Sequence, residues 1–311
     1  MAENVNFVSD PVRTAVALAV PQRKRIADLV LPRKIVGKSE FKYYELNPNK
    51  ENLRAVDSRV GDTAIPNQVT LGLKDHLGET HGYALRDYMS NKRIEEAPEG
   101  IDLVAGMVRN LTGQILDGRE VRAAQIFKKA SNFAVNQALG ADSTKKVSDD
   151  TADLVGQTME YLDDMLLRAN HLVFGRDVLT KFRTHKSVVA AVSASGSEKG
   201  VASLQALADL FEVDSIIVGD ALVNTSKGSN VAMSKVWNGV FGAIHVNPDI
   251  NPALEEAAGT FGFSPESLAL EALTGQDEER GTRGTTGAKV VQEVNEIVTC
   301  KDAGLLFTSV L

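Results

Sequence analysis

At 311 residues, with 43% hydrophobic and 24% charged side chains, the chain can bury a sizeable core in one or two domains and has an ordinary globular balance. A net charge of -7 argues against a general electrostatic grip on nucleic acid, and 5% aromatic residues argue against a base-stacking surface for single strands. Cys300 is the sole cysteine, which rules out an intrachain disulfide and any zinc site built on cysteines.

Residues 1–33 read as an arm. Pro11, Pro21 and Pro32 interrupt any long helix, and Arg23, Lys24 and Arg25 concentrate positive charge, with a short helix fitting between Arg23 and Leu31. The apolar run Ala15 to Val20 is too short for a signal peptide and precedes its basic cluster, the reverse of the required order. No run approaches bilayer length. The expectation is a chain with no membrane association, made in a reducing cytoplasm.

Alternation at Phe41 and Tyr43, and again at Val69, Leu71 and Leu73, predicts two strands. They flank a polar stretch, Asn47 to Pro66, rich in Asn, Pro, Asp and Gly. A connection of this length inside a compact domain is unusual, and a two-stranded ribbon has no core of its own. The economical explanation is that another chain supplies its partner surface. Asn47, Lys50, Arg54, Asp57, Arg59 and Asp62 are the candidate contacts there, with Arg23, Lys24 and Arg25 on the arm.

Pro98 and Glu99 suit a first helical turn, and Ile101, Val104, Val108, Leu111 and Ile115 repeat at spacings of three and four. The spacing predicts a helix from Pro98 to Lys129, about 45 Å long at ~1.5 Å per residue. A second helix is expected from Ser148 to Ala169, capped by Ser148 or Asp149, with Val155, Met159, Leu162 and Leu166 on one face. Asn170 to His185 reads strand, turn, helix. Leu204, Leu207 and Phe211 then keep helical spacing before the β-branched burst Val213 to Val218, which ends in a Gly-Asp turn bearing no catalytic group. A polar loop leads on to Trp237, read as core. Gln276 to Arg280, followed by Gly281, Gly284 and Gly287, reads as a loop, and Lys289 to Leu311 as strands returning to an earlier sheet.

The chemistry on offer is thin. His76 and His81 bracket Glu79, but the spacing is not His-Glu-x-x-His and Gly78 breaks a shared helix face, so solvated hairpin residues are the plainer reading. Ser193 to Gly200 is glycine-rich and precedes a helix, yet lacks the spacing and the Lys-Ser pair of a phosphate loop. Asp149-Asp150 and Asp163-Asp164 diverge by about 100° if helical and cannot share one acid/base site. His171, His185 and His245 are isolated in sequence and read as hydrogen-bonding residues. No catalytic, cofactor or metal residues are assigned.

The segment Leu207 to Trp237, together with Asn170 to His185, resembles the major capsid proteins of tailed bacteriophages, whose shared architecture is the Hong Kong 97-type fold. The order of arm, extended hairpin, long helix, central αβ unit and returning strands extends the resemblance over most of the chain. It implies an α+β subunit: N-terminal arm (1–33), extended E-loop hairpin with flanking strands (34–88), P-domain with spine helix (89–147), A-domain (148–275), and C-terminal loop and strands (276–311). It further implies a non-enzymatic structural protein of the virion, self-assembling as hexamers and pentamers into an icosahedral shell. The shell encloses double-stranded DNA without reading its sequence, is assembled in the host bacterial cytoplasm, and has portal, scaffolding and, in some members, cement proteins as partners. The chain starts too close to its hairpin to hold a long scaffolding segment. Two other readings stay open: an encapsulin-like nanocompartment shell around cargo enzymes, and a soluble αβ phosphate-binding enzyme using residues 193–200.

Overall fold

The computed structural model of the chain describes residues 7–18, 25–46, 58–61, 63–66, 73–139, 146–193, 199–224, 232–251 and 259–311. In chain order these form β1 (Val8–Ser9), α1 (Pro11–Leu18), α2 (Ala27–Val30), β2 (Arg33–Ile35), β3 (Glu40–Leu46), β4 (Leu73–Glu79) and β5 (His81–Ser90). Next come α3 (Asn91–Glu95), α4 (Leu103–Lys128), β6 (Val135–Ala138), α5 (Leu154–Asp163), β7 (His171–Gly175), α6 (Arg176–Thr184), α7 (Lys186–Val192) and α8 (Leu204–Phe211). The chain closes with β8 (Ser215–Gly219), β9 (Leu222–Asn224), β10 (Met233–Lys235), β11 (Phe241–Ile244), β12 (Gly262–Asp277), β13 (Thr285–Val294), β14 (Ile297–Val298) and β15 (Gly304–Thr308).

Two sheets carry the body. The long one runs β1-β12-β13-β5, with β2 and β14 also paired to β12; the other is the five-stranded β6-β15-β11-β7-β8. In the second sheet the period-2 alternation separates two cores. Leu172, Phe174, Phe241, Leu305 and Phe307 face α5 to α8, while Val173, Ile217 and Leu306 face the end of α4. Phe174, Phe241 and Phe307 stack in a row at centroid spacings of 4.6 and 4.4 Å.

The spine is α4, at 26 residues about 39 Å long. Its first half packs Val104, Val108, Leu111 and Ile115 on Leu270, Ala272, Ala288 and Val290 of the long sheet. Its last turns carry Ala123, Ala124 and Phe127 to the second sheet. The helix starts later than its apolar spacing predicts. Gly100, at φ +87°, turns the chain, and the Asp102 carboxylate caps the helix by accepting from Ala105 N at 2.9 Å. Similarly α5 begins at Leu154 under an Asp153 cap and not at Ser148, because the Asp149 side chain is spent on Thr151 in a preceding turn. Leu166 lies beyond its end and is exposed.

Strand pairing joins segments of different expected units. Within 148–275, β12 pairs with β13 and β2 and so belongs to the long sheet, and it extends through Gln276 to Asp277 where a loop was expected. Within 89–147, β6 is a parallel neighbour of β15 in the five-stranded sheet. The C-terminal strands do return as expected, β13 onto β5 and β12, and β15 onto β11.

Trp237 fills the centre of the junction between the two sheets, fully buried. Gly219 and Gly175 make room for it: a Cβ on Gly219 would sit 2.3 Å from Trp237 Cγ, and one on Gly175 2.0 Å from the Trp237 carbonyl oxygen. The Gly175→Ala variant is expected to lose ~2–3 kcal/mol or more, since backbone and not a flexible side chain must move. Urea denaturation of the unassembled subunit measures this, and a loss within ~0.5 kcal/mol contradicts the packing argument.

Candidate assembly surfaces

The hairpin β3/β4 is a sheet of its own, hydrogen-bonded along its length from Glu40↔Glu79 to Leu46↔Leu73 and joined to no other strand among the described residues. Its inward face touches the body through Tyr43, which packs against Ile250 and Phe263. Phe41 on the same face lies over Gly78, where a Cβ would meet the ring at 2.6 Å. Tyr43 stacks on His76 at 5.5 Å, and His76 Nε2 pairs with Glu45 at 2.8 Å. The outward face is different. Leu77 is 80% exposed beside the Lys42–Asp75 ion pair, and Ile35, at the root of the ribbon, is also 80% exposed. Ile35, Val36, Phe41, Lys42, Tyr44 and Asn251 border a cleft of about 260 Å³.

Of the hairpin-loop candidates, Arg59 is exposed, as are Val60 and, at 93%, Ile65 after it. Asn47, Lys50, Arg54, Asp57 and Asp62 lie outside the described residues, as do Val69 and Leu71.

The arm runs along one edge of β12. β1 pairs at Val8↔Thr274 and Ser9↔Leu273, and β2 pairs in parallel from Ser264↔Arg33 to Glu266↔Ile35. Between these, Ala17 of α1 is buried against α4 and the long sheet, and Arg13 pairs with Asp102. Arg23 and Lys24 lie outside the described residues. Arg25, expected at a neighbouring subunit, is engaged by its own chain: Nε donates to Asp117 Oδ1 at 2.8 Å and Nη2 to Gly113 O at 3.1 Å. With α2 packed on α4, the Arg25 guanidinium lies against that helix, within reach of Asp117 and Gly113.

Beneath the arm is a charged cluster that sequence reading missed. Arg119, 1% exposed, donates through Nη1 to Asp28 and through Nη2 to Leu31 O at 3.0 Å and Ser264 Oγ at 3.1 Å. Glu296 lies 3.9 Å from Arg119 Nε and receives the Arg122 fork at 3.0 and 3.1 Å. Arg122 also sits 3.8 Å above the Tyr83 ring. The only linear signal was charge at 119, 120 and 122 interrupting an apolar helix face. Glu120 accepts from Ile26 N at 2.8 Å, Ala27 N at 2.9 Å and Trp237 Nε1 at 2.6 Å. Burial pushes its carboxyl above the ordinary glutamate range, against the pull of those N–H groups and of the Arg119 charge.

The folded chain therefore holds the Glu120 proton more tightly than the unfolded chain does. Its stabilising contribution is full below the ordinary carboxylate pKa and is lost as pH rises through the raised value. The stability of wild type relative to Glu120→Gln is expected to grow as pH falls from about 7 to about 4. Urea midpoints across that range check it; a difference that shrinks on acidification contradicts the assignment.

Little of this is catalytic in character. His81 stands on β5, apart from the His76–Glu45 pair, and no group of three or more His, Cys, Asp or Glu among the described residues could hold a metal ion. His171 bonds Ser215 Oγ at 2.9 Å, His245 bonds Arg168 O at 2.9 Å, and His185 bonds Ser187 Oγ and Asp149 O, both at 2.8 Å. Burial pushes His171 down, with Asp214 opposing and His245 reinforcing, so it is neutral at physiological pH. Asp163 pairs with Arg168, and residues 194–198 of the glycine-rich stretch lie outside the described residues. No helix among the described residues is long and apolar enough to cross a membrane.

A body of two sheets around one long helix, with a ribbon standing off it and an arm laid along a strand edge, defines a shell-forming subunit. Known proteins agree. No family model matches the chain. It is 28% identical over 307 residues to the major capsid protein of Pseudomonas phage JBD67, spanning 98% of this chain and 97% of the relative. Among solved structures it matches a phage-related protein from Bordetella bronchiseptica RB50 at a TM-score of 0.73 and 18% identity, covering 98% of both chains. It also matches the capsid of a native GTA particle at a TM-score of 0.55 and 12% identity, covering 93% of this chain and 91% of the other. The fold is the α+β Hong Kong 97-type capsid fold. The chain is a phage head-shell protein of the major capsid type, a structural and not an enzymatic class, and its place is the virion capsid.

Proposed function

We propose that this subunit assembles as hexamers and pentamers into a closed icosahedral head around double-stranded DNA. The observation that carries the reading is the β3/β4 ribbon: it is anchored on one face by Tyr43 and presents Leu77 on the other, at 80% exposure. A ribbon with so little core is marginal alone, and a neighbouring copy can supply its second surface. Asn47, Lys50, Arg54, Asp57, Arg59 and Asp62 on the hairpin loop and Arg23 and Lys24 on the arm are the proposed contacts with adjacent subunits. Arg25 instead roots the arm on α4. The net charge of -7 lets the wall hold DNA without gripping it. Portal, scaffolding and cement proteins are the further partners proposed, with assembly in the host bacterial cytoplasm.

Expression of the full chain followed by negative-stain electron microscopy tests this. Closed particles of uniform diameter are expected; a preparation that stays monomeric at all concentrations contradicts it. The relatives in sequence are phage proteins, which favours a genome over enzyme cargo. Particles purified from infected or induced cells are expected to protect DNA from nuclease, whereas a co-purifying enzyme in stoichiometric amount would point to the nanocompartment.

A further inference from the structure

We infer that Glu120 and Trp237 form a mechanical link through which docking of the arm sets the position of the β9/β10 ribbon. The inference concerns contacts within one chain and does not rest on shell assembly, so its test can be read whether or not particles form.

The arm end of the link is α2. The N-cap residue Ile26 offers no side-chain cap, and the first amides of this end, Ile26 N and Ala27 N, donate to Glu120 from across the interface. The carboxylate thus acts as a helix cap supplied by another element. One of the same two oxygens, Oε1, takes the indole N–H of Trp237. Three donors from two distant segments converge on one buried carboxylate, and none has a second acceptor among the described contacts.

The other end is the root of the ribbon. Trp237 follows β10 by two residues, and Val236 N donates to Ala221 O at 2.9 Å, closing the ribbon where β9 begins. Lys128 Nζ donates to Val236 O at 2.8 Å, tying the same root to the last turn of α4. The indole lies on Gly219 at the end of β8, and there a Cβ would overlap it, so the ring has no room to slide. A shift of Trp237 must therefore carry the root with it. By the register Met233↔Asn224 and Lys235↔Leu222, the ribbon presents Leu222 and Met233 on one face, 43% and 56% exposed. Movement of the arm is transmitted to that apolar face through one hydrogen-bonded side-chain pair.

Amide hydrogen exchange on the full chain tests the link with two variants, of which Glu120→Gln conserves volume. Trp237→Phe removes the indole N–H together with part of the ring, and Glu120→Gln turns one acceptor oxygen into a donor that opposes Ala27 N–H. In Trp237→Phe, peptides covering Ile26 to Leu31 are expected to exchange about tenfold faster, although the indole N–H donates to Glu120 and not to the arm. In Glu120→Gln, peptides covering Ala221 to Asn224 and Ala232 to Val236 are expected to do the same. Exchange of β12 and β13 should stay at the wild-type rate in both. Arm exchange unchanged in Trp237→Phe, or ribbon exchange unchanged in Glu120→Gln, overturns the proposal. Should the smaller Phe ring loosen the core and speed exchange of β11 as well, Glu120→Gln alone decides.

Discussion

Replacement of residues 49–64 by a short Gly-Ser turn is expected to leave a folded subunit and to abolish closed particles. The described residues that the deletion removes, 58–61 and 63–64, are all exposed. The ribbon meets the body through Tyr43 and, at its base, through Thr80 Oγ1 and Ser267 Oγ at 2.7 Å, both on the near side of the deletion. Shortening a connection also lowers the entropy cost of closing it, by ~0.6 kcal/mol per halving of length. Assembly is another matter, because a shell is a sum of individually weak contacts that multiply when all are made together and fail when one class is missing. The measurements are a thermal midpoint within a few degrees of wild type and an electron-microscope field without closed shells. Normal particles from the shortened chain would remove the hairpin loop as an intersubunit clamp.

The second large effect is expected at Arg119. Arg119→Ala leaves the buried Glu296 with Arg122 alone and withdraws donors from Leu31 O and Ser264 Oγ, groups that water does not reach in the folded chain. Breaking one partner out of a buried ion cluster costs about 3–5 kcal/mol, far more than the cluster adds over a well-packed apolar replacement. Arg119→Lys is expected to recover little, since a single ammonium cannot span Asp28, Leu31 O and Ser264 from one fork. Urea denaturation of unassembled subunits separates the cases. A loss under ~1 kcal/mol for Arg119→Ala would mean the cluster is hydrated and not a structural joint.

Both experiments probe places where sequence and structure stand in different relation. The hairpin was legible because it violates an expectation: too long a polar connection between two strands with too little apolar surface. The Arg119 cluster was not, because Asp28, Arg119, Ser264 and Glu296 are scattered over most of the chain and look individually like solvated polar residues. The long helix was read correctly through its apolar spacing, but its start was displaced by Gly100 and Asp102, since Pro98 and Glu99 are equally at home in the turn before a helix. The central strand β12 went unread as a strand for a related reason. It is buried at Gly262 to Glu266, bulged near Leu268 and half exposed at its end, so no single period runs through it.

Local chemistry in the chain was enough to set the types and order of most elements: the proline-broken arm, the alternating hairpin strands, the 3–4 spacing of α4, and the αβ step at α8 and β8. These rest on side-chain periodicity and backbone preference, which act over a few residues. Tertiary structure alone decided that β12 joins the long sheet and that the arm lies along its edge. It alone brought Arg25 back to its own spine helix and made Trp237 and Glu120 meet at a joint between two sheets. Those outcomes depend on which desolvated donors and acceptors find each other across 90 to 260 residues, and no local pattern records that choice.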